Sequence, residues 1–529
     1  MTWFDVRVQR IPGAGRIAGG CFGLSIGLVA GVAAAGDSAA VPGLGPATWY
    51  PPWDAGLHPD SGLVTLLLVV AYLSGAATVG FGLLALHRGA RLNPRLLVVA
   101  ALGAVVLLGV LPPLGSADHL SYAAYGRIAA AGDNPYVVDP GRWHGGTDPV
   151  AGAIAPPWQH TRSVYGPVTT AAQAAVAALG HGSLRLTIWF WQVLAAAAFL
   201  GTGFILDRLV GSDPRARTRA AVLWTLNPLL LSQLVLGGHA DVLAVFFALA
   251  AIALVARRPL PAGMLLGAAI GSKVTFGLFA LALLWGLRRL PPPVLARRLG
   301  LGLLGALLVL VPAQLWSGPH TYDQLHQASR MVSLATPWRP LVDQLDPVFG
   351  SVVRTVVGPL ALACGVALAI VLARRLLTIP TGLDQAGSPV GGKLGGGRSV
   401  VEKQVIADAA RAALLIAAAW VLTTPYALPW YDAMIWAPLA LVAATGLDLA
   451  LLSRLTVLAL AYVPGRVVGM SATVERLTLD FRRDVAPWLN LAVLIAVIVW
   501  ARKESAGPRS TRRCRPTRRP EVREPERSP

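Results

Sequence analysis

Asp118 begins a run of polar and aromatic residues that interrupts a chain composed mostly of Ala, Leu, Val and Gly. The run reads Asp118-His119-Leu120-Ser121-Tyr122-Ala123-Ala124-Tyr125-Gly126-Arg127, and it lies within a polar stretch from Leu114 to Pro167. A carboxylate placed beside an acceptor hydroxyl can remove its proton during a displacement reaction. Aromatic faces next to that carboxylate can pack against a sugar ring, so the stretch has the residue types of a carbohydrate-modifying site.

Side chains of matching chemistry occur in several distant parts of the chain. Charged groups inside or beside a lipid bilayer are costly, which makes each of them a candidate for function. Arginine and lysine bind phosphate groups, and aromatic and carboxylate side chains bind sugars. The distant candidates are His239 and Asp241 in Gly237-Gly238-His239-Ala240-Asp241, Lys273, Arg330, Arg339, and Trp430 and Tyr431.

Some of these residues have simpler interpretations. Asp118 can serve as a helix N-cap, although its place between an apolar segment and a long aromatic loop favours a functional role. His239 and Asp241 would supply two metal ligands without a third nearby, so hydrogen bonding is favoured and no metal site is predicted. Asn227-Pro228 predicts a helix distortion rather than a site.

The composition is that of a membrane protein with many helical spans. Hydrophobic residues make up 55% of the 529-residue chain, charged residues 13%, and the mean hydropathy is +0.60. The net charge of +19 comes mainly from Lys and Arg in short segments beside apolar runs, as in cytoplasmic loops of membrane proteins. We therefore expect contacts with membrane lipid and no nucleic-acid partner.

Apolar runs predict an all-α polytopic membrane protein with about 13–14 transmembrane helices. Both termini are expected in the cytoplasm, and residues 115–183 form an extracytoplasmic catalytic loop with interfacial helices, one of them at 167–180. Residues 1–505 form one integral-membrane domain that contains a flexible cytoplasmic linker at 378–404. Residues 506–529 form a disordered basic tail. The spans lie near 17–36, 62–86, 95–114, 184–207, 218–236, 239–256, 261–288 (a hairpin of two passes), 297–316, 350–373, 406–426, 430–452, 455–469 and 486–501.

The Asp118–Arg127 run, Asn134-Pro135-Tyr136 and Ser163-Val164-Tyr165-Gly166-Pro167 resemble a known family. They are similar to the actinobacterial polyprenol-phosphomannose-dependent alpha-1,6-mannosyltransferases of the MptA/MptB type, within the GT-C glycosyltransferase superfamily. Asn227-Pro228, Gly238-His239-Ala240-Asp241 and Lys273 add to the similarity, which covers roughly residues 60–500. The resemblance implies a GT-C fold in the cell membrane, with the active site on the extracytoplasmic face.

The resemblance also implies a reaction. Polyprenyl-phosphate-mannose would be the donor and a lipid-linked mannan the acceptor, with inversion, an alpha-1,6 linkage and no cofactor. Asp118 would be the general base, and His119 follows it where related arabinosyltransferases often have a second acid, so one or two acids can act. We expect Lys273, Arg330 and Arg339 to bind the donor phosphate. The expected sugar- and acceptor-binding residues are His119, Tyr122, Tyr125, Tyr136, Tyr165, His239, Asp241, Trp430 and Tyr431.

Two other functions remain open from the sequence. Pocket shape decides which sugar is used, so a transferase of the same superfamily that takes polyprenyl-phosphate arabinose or glucose is an alternative. A flippase or transporter for a lipid-linked sugar is disfavoured, because most charged residues fall at the ends of predicted spans rather than at midplane depth.

Overall fold

Helices account for nearly all regular structure in this chain. The computed structural model describes residues 13–90, 93–328, 330–385 and 399–503. Within these ranges the only β-type pairing is an isolated antiparallel bridge between Thr381 and Val442. The predicted tail at 506–529 and the central part of the predicted linker, 386–398, lie outside the described residues.

The helices are numbered here in chain order within the described ranges. The α-helices are α1 Ala14–Ala35, α2 Ser61–His87, α3 Pro94–Gly109, α4 Asp118–Ala130, α5 Pro167–Leu179, α6 Leu184–Val210, α7 Pro214–Leu223, α8 Pro228–Leu230, α9 Asp241–Leu254, α10 Pro259–Ser272, α11 Leu278–Leu287, α12 Pro292–Ser317, α13 Asp323–Ala328, α14 Arg339–Phe349, α15 Val352–Leu376, α16 Gly382–Gln385, α17 Val400–Thr423, α18 Ala433–Leu439, α19 Leu447–Ala461, α20 Ala472–Asp480 and α21 Ala486–Arg502. Tighter 3-10 turns occur at Trp143–Gly146, Ala151–Ala153, Trp158–His160, Val274–Gly277, Pro319–Tyr322 and Pro429–Asp432. Wider π-helical turns occupy Leu231–Leu236 and Phe481–Val485.

Seven helical segments of the described chain are long and apolar enough to cross a membrane, and the bent pair α7–α8 brings the number to eight. The prediction of an all-α polytopic membrane protein is confirmed. The number of such helices is below the predicted 13–14, and four of the predicted passes, at 95–114, 239–256 and 261–288, coincide with apolar helices of 10–17 residues. At ~1.5 Å per residue these helices are shorter than the ~30 Å hydrocarbon core.

One predicted span is broken in the structure. The continuous helix expected at 430–452 ends at Leu439, and a new helix, α19, begins only at Leu447. Between them the backbone pairs with another segment: the Ala443 N–H donates to the Pro380 carbonyl at 2.8 Å. Backbone groups that a helix would have satisfied are thus satisfied by the first residues of the predicted linker, which are packed rather than free.

The break between α7 and α8 follows from Asn227-Pro228. Proline has no N–H to donate and its ring clashes with the preceding helical turn. The Asn227 Oδ1 instead accepts the N–H of Leu229 at 3.1 Å, which caps the new helix, and the two helices meet at an angle of about 40°. The predicted distortion is confirmed, and it leads the chain into the turn that carries His239.

Glycines fix the helices that support the polar residues. Gly126 of α4 lies directly against the Gln173 carbonyl of α5, and Gly166 before α5 lies against the Gly271 carbonyl of α10. Neither position has room for a Cβ atom, so the backbones approach as closely as small residues allow. The beginning of α4, with Asp118, is thereby held in a fixed relation to the end of α10.

Candidate functional site

A cavity of about 720 Å³ collects most of the predicted site residues. Its walls come from α4, the polar loop before α5, the beginning of α9, the end of α10, α15, α17 and the turn before α18. Segments far apart in sequence therefore meet around one space. The predicted residues that line it are Asp118, Tyr122, Tyr125, Tyr165, Asp241, Lys273, Arg330, Trp430 and Tyr431.

Asp118 is the first residue of α4 and has a side chain that is 22% exposed, on the cavity wall. The backbone N–H of Asp118 donates to the Ser116 hydroxyl at 3.3 Å, at the point where the preceding loop ends and α4 begins. Burial and, to a smaller extent, the charge of Asp241 raise the pKa of Asp118 from 3.8 to about 7, against the opposing effect of Lys273. A carboxylate with such a pKa accepts and releases a proton near neutral pH.

His239 supports Asp118 from behind the cavity wall. The ring is fully buried, and its Nδ1 lies 2.5 Å from the Gln233 carbonyl oxygen, which can only accept. Nδ1 therefore carries the proton of the neutral ring, and Nε2 accepts from the Ser116 hydroxyl at 2.9 Å. The same Nε2 is 4.0 Å from Asp118 Oδ2, and the ring stacks on Trp430 at 3.6 Å between centroids.

The turn that carries His239 and Asp241 is anchored by α6. Trp191 Nε1 donates to the Gly238 carbonyl at 2.6 Å, and the Gln192 amide donates to the Leu236 carbonyl at 3.2 Å. Both side chains are buried. Neither was predicted from the sequence, because a Trp-Gln pair in an apolar helix gives no local indication of which turn it supports.

Lys273 and Asp241 form an ion pair inside the cavity. Lys273 has an extended backbone conformation between α10 and the following 3-10 turn. Its Nζ lies 2.5 Å from Asp241 Oδ1. The same ammonium sits 3.2 Å from the centre of the Tyr431 ring, a cation–π contact. A buried lysine in an apolar hairpin needs an anionic partner, and Asp241 supplies it. Because Lys273 is paired with Asp241, it does not form an ion pair with the carboxylate of Asp118.

Aromatic rings form a continuous wall beside Asp118. Tyr122 meets Tyr165 edge to face at 4.9 Å between centroids and packs against Trp191 at 5.0 Å. The Tyr125 hydroxyl donates to the Thr161 carbonyl at 2.7 Å, which ties α4 to the polar loop. These hydrogen bonds and ring contacts hold the wall in place before any ligand binds.

Four predicted residues do not line the cavity, and His239 is one of them. His119 is buried, neither ring nitrogen has a hydrogen-bond partner in the described chain, and burial lowers its pKa to about 3. The Tyr136 hydroxyl donates to the Tyr165 carbonyl at 2.9 Å, behind the wall. Arg339 pairs with Asp343 at 2.7 Å, one turn along α14.

Several cavity residues were not among the predictions. Arg354 lies in the first turn of α15 and pairs with Asp346 at 2.8 Å, but it was hidden inside the predicted span 350–373. Trp420 belongs to α17 and looked like any large residue of an apolar helix. Trp158 lies in the polar loop outside the quoted motifs. A charged residue one turn inside a predicted span was the available signal for Arg354.

The residues that line the cavity are of two chemical kinds. Gly358 and Leu362 of α15 and Trp420 of α17 are apolar, while Tyr125, Trp158 and Thr161 of α4 and the polar loop supply rings and polar groups. Such a cavity suits a molecule with a lipid part and a polar part. Among the described residues, no three His, Cys, Asp or Glu side chains come together as a metal-ligand group.

Comparison with known proteins gives one match. Residues 20–289 match the MptA_B family model described as alpha-(1->6)-mannopyranosyltransferase, N-terminal domain. The matched range includes Asp118, His239, Asp241 and Lys273, together with the whole polar loop. No curated protein and no solved structure matches the chain.

Proposed function

Because this chain belongs to the MptA_B family of alpha-(1->6)-mannopyranosyltransferases, we propose that it transfers mannose from polyprenyl-phosphate-mannose to a lipid-linked mannan acceptor. The new bond is an alpha-1,6 linkage formed with inversion at the anomeric carbon. The observation that carries the proposal is the shared cavity, where a carboxylate with a pKa of about 7 lies among aromatic rings and basic residues beside an apolar wall.

The proposed donor is an amphiphile that matches both sides of the cavity. Its prenyl chain lies along the apolar wall of α15 and α17, and its phosphate lies beside Arg330 and Arg354, which line the same space. Guanidinium groups bind phosphate oxygens in a bidentate manner. Lys273 is a further candidate for the phosphate, and its ammonium forms an ion pair with Asp241. Arg339 remains a candidate, and its partner Asp343 also pairs with Arg483 at 3.1 Å.

The proposed chemistry is a single displacement. Asp118 takes the proton of the acceptor hydroxyl as the oxygen attacks the anomeric carbon of mannose. The new carbon–oxygen bond forms on the face opposite the phosphate, and the bond from that carbon to the phosphate oxygen breaks. The electron pair leaves with the polyprenyl phosphate, whose negative charge the arginines stabilise. A beta-linked mannosyl phosphate thus gives an alpha-mannoside.

Orienting the two sugars is the proposed role of the aromatic wall. Tyr122, Tyr125, Tyr165, Trp430 and Tyr431 line the cavity. His119, Tyr136 and His239 act in the proposal as buried supports of that wall and of Asp118 rather than through contact with substrate. The carboxylate oxygen of Asp241 that does not contact Lys273 can accept a hydrogen bond from a sugar hydroxyl.

We further propose that the cavity opens on the extracytoplasmic face of the cell membrane, with both termini in the cytoplasm. The seven apolar helices fit a multi-pass membrane protein, and the basic segments after α2, α6, α11 and α15 would then face the cytoplasm. A single cysteine placed at Gln159, in a variant lacking Cys21, Cys364 and Cys514, should react with a membrane-impermeant maleimide on intact cells. Reaction only after permeabilisation would show that the cavity faces the cytoplasm and that the proposed orientation is wrong.

The function is tested with purified protein in lipid nanodiscs, radiolabelled polyprenyl-phosphate-mannose and a mannoside acceptor. We expect labelled mannoside that an alpha-mannosidase removes, with an alpha-1,6 linkage by nuclear magnetic resonance. The same assay with polyprenyl-phosphate arabinose or glucose identifies the preferred sugar. Transfer from one of those donors but not from the mannose donor would contradict the proposal. Translocation of the donor across liposomes without any new glycosidic bond would make the protein a flippase.

A further inference from the structure

Trp158 is the large aromatic residue on the polar side of the cavity that no motif or predicted role explains. It lies on the 3-10 turn Trp158–His160, its ring lines the cavity together with Tyr125 and Thr161, and it is partly exposed. We propose that the indole face of Trp158 is a binding subsite for the acceptor chain, occupied by the sugar unit that precedes the reacting one. The proposal rests on the function proposed above for the same cavity.

The turn that carries Trp158 is fixed on both sides. The Gly141 N–H donates to the Gln159 carbonyl at 2.8 Å, and the His160 ring lies 3.0 Å from Asp139 Oδ2. On the other side, the Tyr125 hydroxyl donates to the Thr161 carbonyl at 2.7 Å. A turn held in this way loses little conformational entropy when a ligand binds beside it.

The ring also has a firm base. One part of Trp158 packs against a small buried cluster that includes Tyr125, Trp143 and Ile154. The remaining surface lines the cavity rather than disappearing into that cluster. An aromatic ring with a packed edge and an available face is suited to the C–H face of a pyranose, which is apolar although its hydroxyl groups are not.

The position of Trp158 in the cavity indicates the acceptor rather than the donor. The ring belongs to the polar loop, whereas the apolar wall and Arg354 belong to α15 and α17. A prenyl phosphate therefore finds its matching surfaces on α15 and α17. A carbohydrate chain finds them on the loop side, among residues such as Thr161 and Tyr125.

Distance along α4 indicates which sugar unit the ring contacts. Tyr125 follows Asp118 by seven residues, which is about 10 Å along the helix axis. Trp158 packs beside the cluster around Tyr125. On this basis the proposed subsite lies further along α4 than the hydroxyl that Asp118 would deprotonate, where the next sugar of the same acceptor chain would run.

The test compares Trp158→Ala with the wild-type protein on acceptors of two lengths, a methyl alpha-mannoside and an alpha-1,6-linked dimannoside. We expect kcat/KM for the dimannoside to fall roughly 10- to 30-fold, in line with the loss of a tryptophan anchor. The single mannoside should change less than about twofold, as should the KM for the donor. Trp158→Phe should fall between the two proteins, because a smaller ring keeps part of the contact.

Trp49→Ala is the matched control, because Trp49 is 89% exposed, lies in another polar loop and does not line the cavity. It should behave as the wild-type protein does on both acceptors. Equal losses on both acceptors, a raised donor KM, or no loss at all in Trp158→Ala would overturn the proposed subsite.

Binding without the donor separates this inference from the proposed reaction. Saturation-transfer nuclear magnetic resonance with nanodisc-embedded protein should show contact to both rings of the dimannoside in the wild-type protein and in Trp49→Ala. In Trp158→Ala the signal of the non-reacting ring should be lost. If that signal persists in Trp158→Ala, the subsite is refuted. Failure of the wild-type protein to use polyprenyl-phosphate-mannose would instead refute the proposed donor and leave this binding result decisive.

Discussion

Lys273 Nζ and Asp241 Oδ1 lie 2.5 Å apart and join the end of α10 to the beginning of α9 inside the cavity. The pair is largely buried, with side chains 25% and 9% exposed. Its net charge is zero, so the carboxylate of Asp118 faces a nearly neutral neighbour rather than a free cation. The pair thereby shapes the electrostatic environment of Asp118 and positions the Tyr431 ring above the ammonium.

Breaking this pair on one side should be worse than removing it altogether. Lys273→Met leaves the Asp241 carboxylate unpaired, and loss of one partner of a buried pair costs about 3–5 kcal/mol. We expect Lys273→Met and Asp241→Leu each to lower the melting temperature and to abolish most transfer. The double variant Lys273→Met/Asp241→Leu should recover stability but not activity. Additive losses of stability in the double variant would show that the two residues do not interact.

Binding of the donor phosphate should depend on the arginines that line the cavity. Arg354→Gln and Arg330→Gln each remove a cation from the proposed phosphate site, and a hydrogen bond to a charged group contributes about 1.5–3 kcal/mol. We expect the donor KM to rise roughly 10- to 100-fold in each variant, with the acceptor KM unchanged. Arg339→Gln is the comparison, because Arg339 lies outside the cavity beside Asp343. A larger effect at Arg339 than at Arg354 would move the phosphate site to α14.

The rate should depend on the protonation of Asp118. A general base works only when it is deprotonated, so kcat/KM should fall about tenfold per pH unit below the pKa of about 7 and level off above it. The contribution of Asp118 to the free energy of unfolding should change with pH in the opposite direction. Because the folded-state pKa lies above 3.8, the contribution of Asp118 to stability is largest below pH 3.8 and is lost as the pH rises towards 7. A pH profile that is flat between 5 and 8 would exclude Asp118 as the titrating base.

The close approach at Gly166 should be essential for the geometry of the site. A Cβ atom there would collide with the backbone carbonyl of Gly271, two residues before Lys273. We expect Gly166→Ala to displace the end of α10, lower the melting temperature and reduce transfer. Gly103→Ala is the control, because nothing lies near a Cβ atom at Gly103 in α3. Alanine in a helix is favoured over glycine by up to ~1 kcal/mol, so this variant should be as stable as the wild-type protein or more so. Equal behaviour of the two variants would contradict the packing.

Local sequence patterns predicted the helical class and much of the cavity. Asp118, Lys273 and Tyr431 are exceptional residues in an apolar chain, and the high cost of placing them near lipid made them visible. The bend after Asn227 was visible for a different reason, because proline lacks an N–H and clashes with the preceding helical turn. The predicted family is confirmed by the match over residues 20–289.

Relations between distant segments were not visible in the sequence. The pairing of Lys273 with Asp241 depends on how α9 and α10 pack, and the loss of the span at 430–452 depends on hydrogen bonding with Pro380. Arg354 and Trp158 could be assigned to the cavity only from the folded structure. An arginine at the beginning of an apolar helix and a tryptophan in a loop are common in membrane proteins, so neither stood out in the sequence.

The proposed base is tested most directly by transfer in Asp118→Asn, measured beside Asp133→Asn. Asp133 lies in the same polar loop, but its Oδ2 accepts from Trp143 Nε1 at 2.8 Å and it does not line the cavity. At equal protein levels and melting temperatures, Asp118→Asn should lose roughly 10²- to 10⁴-fold in kcat, while Asp133→Asn keeps most of its activity. Wild-type transfer by Asp118→Asn would show that another group takes the acceptor proton and would contradict the account.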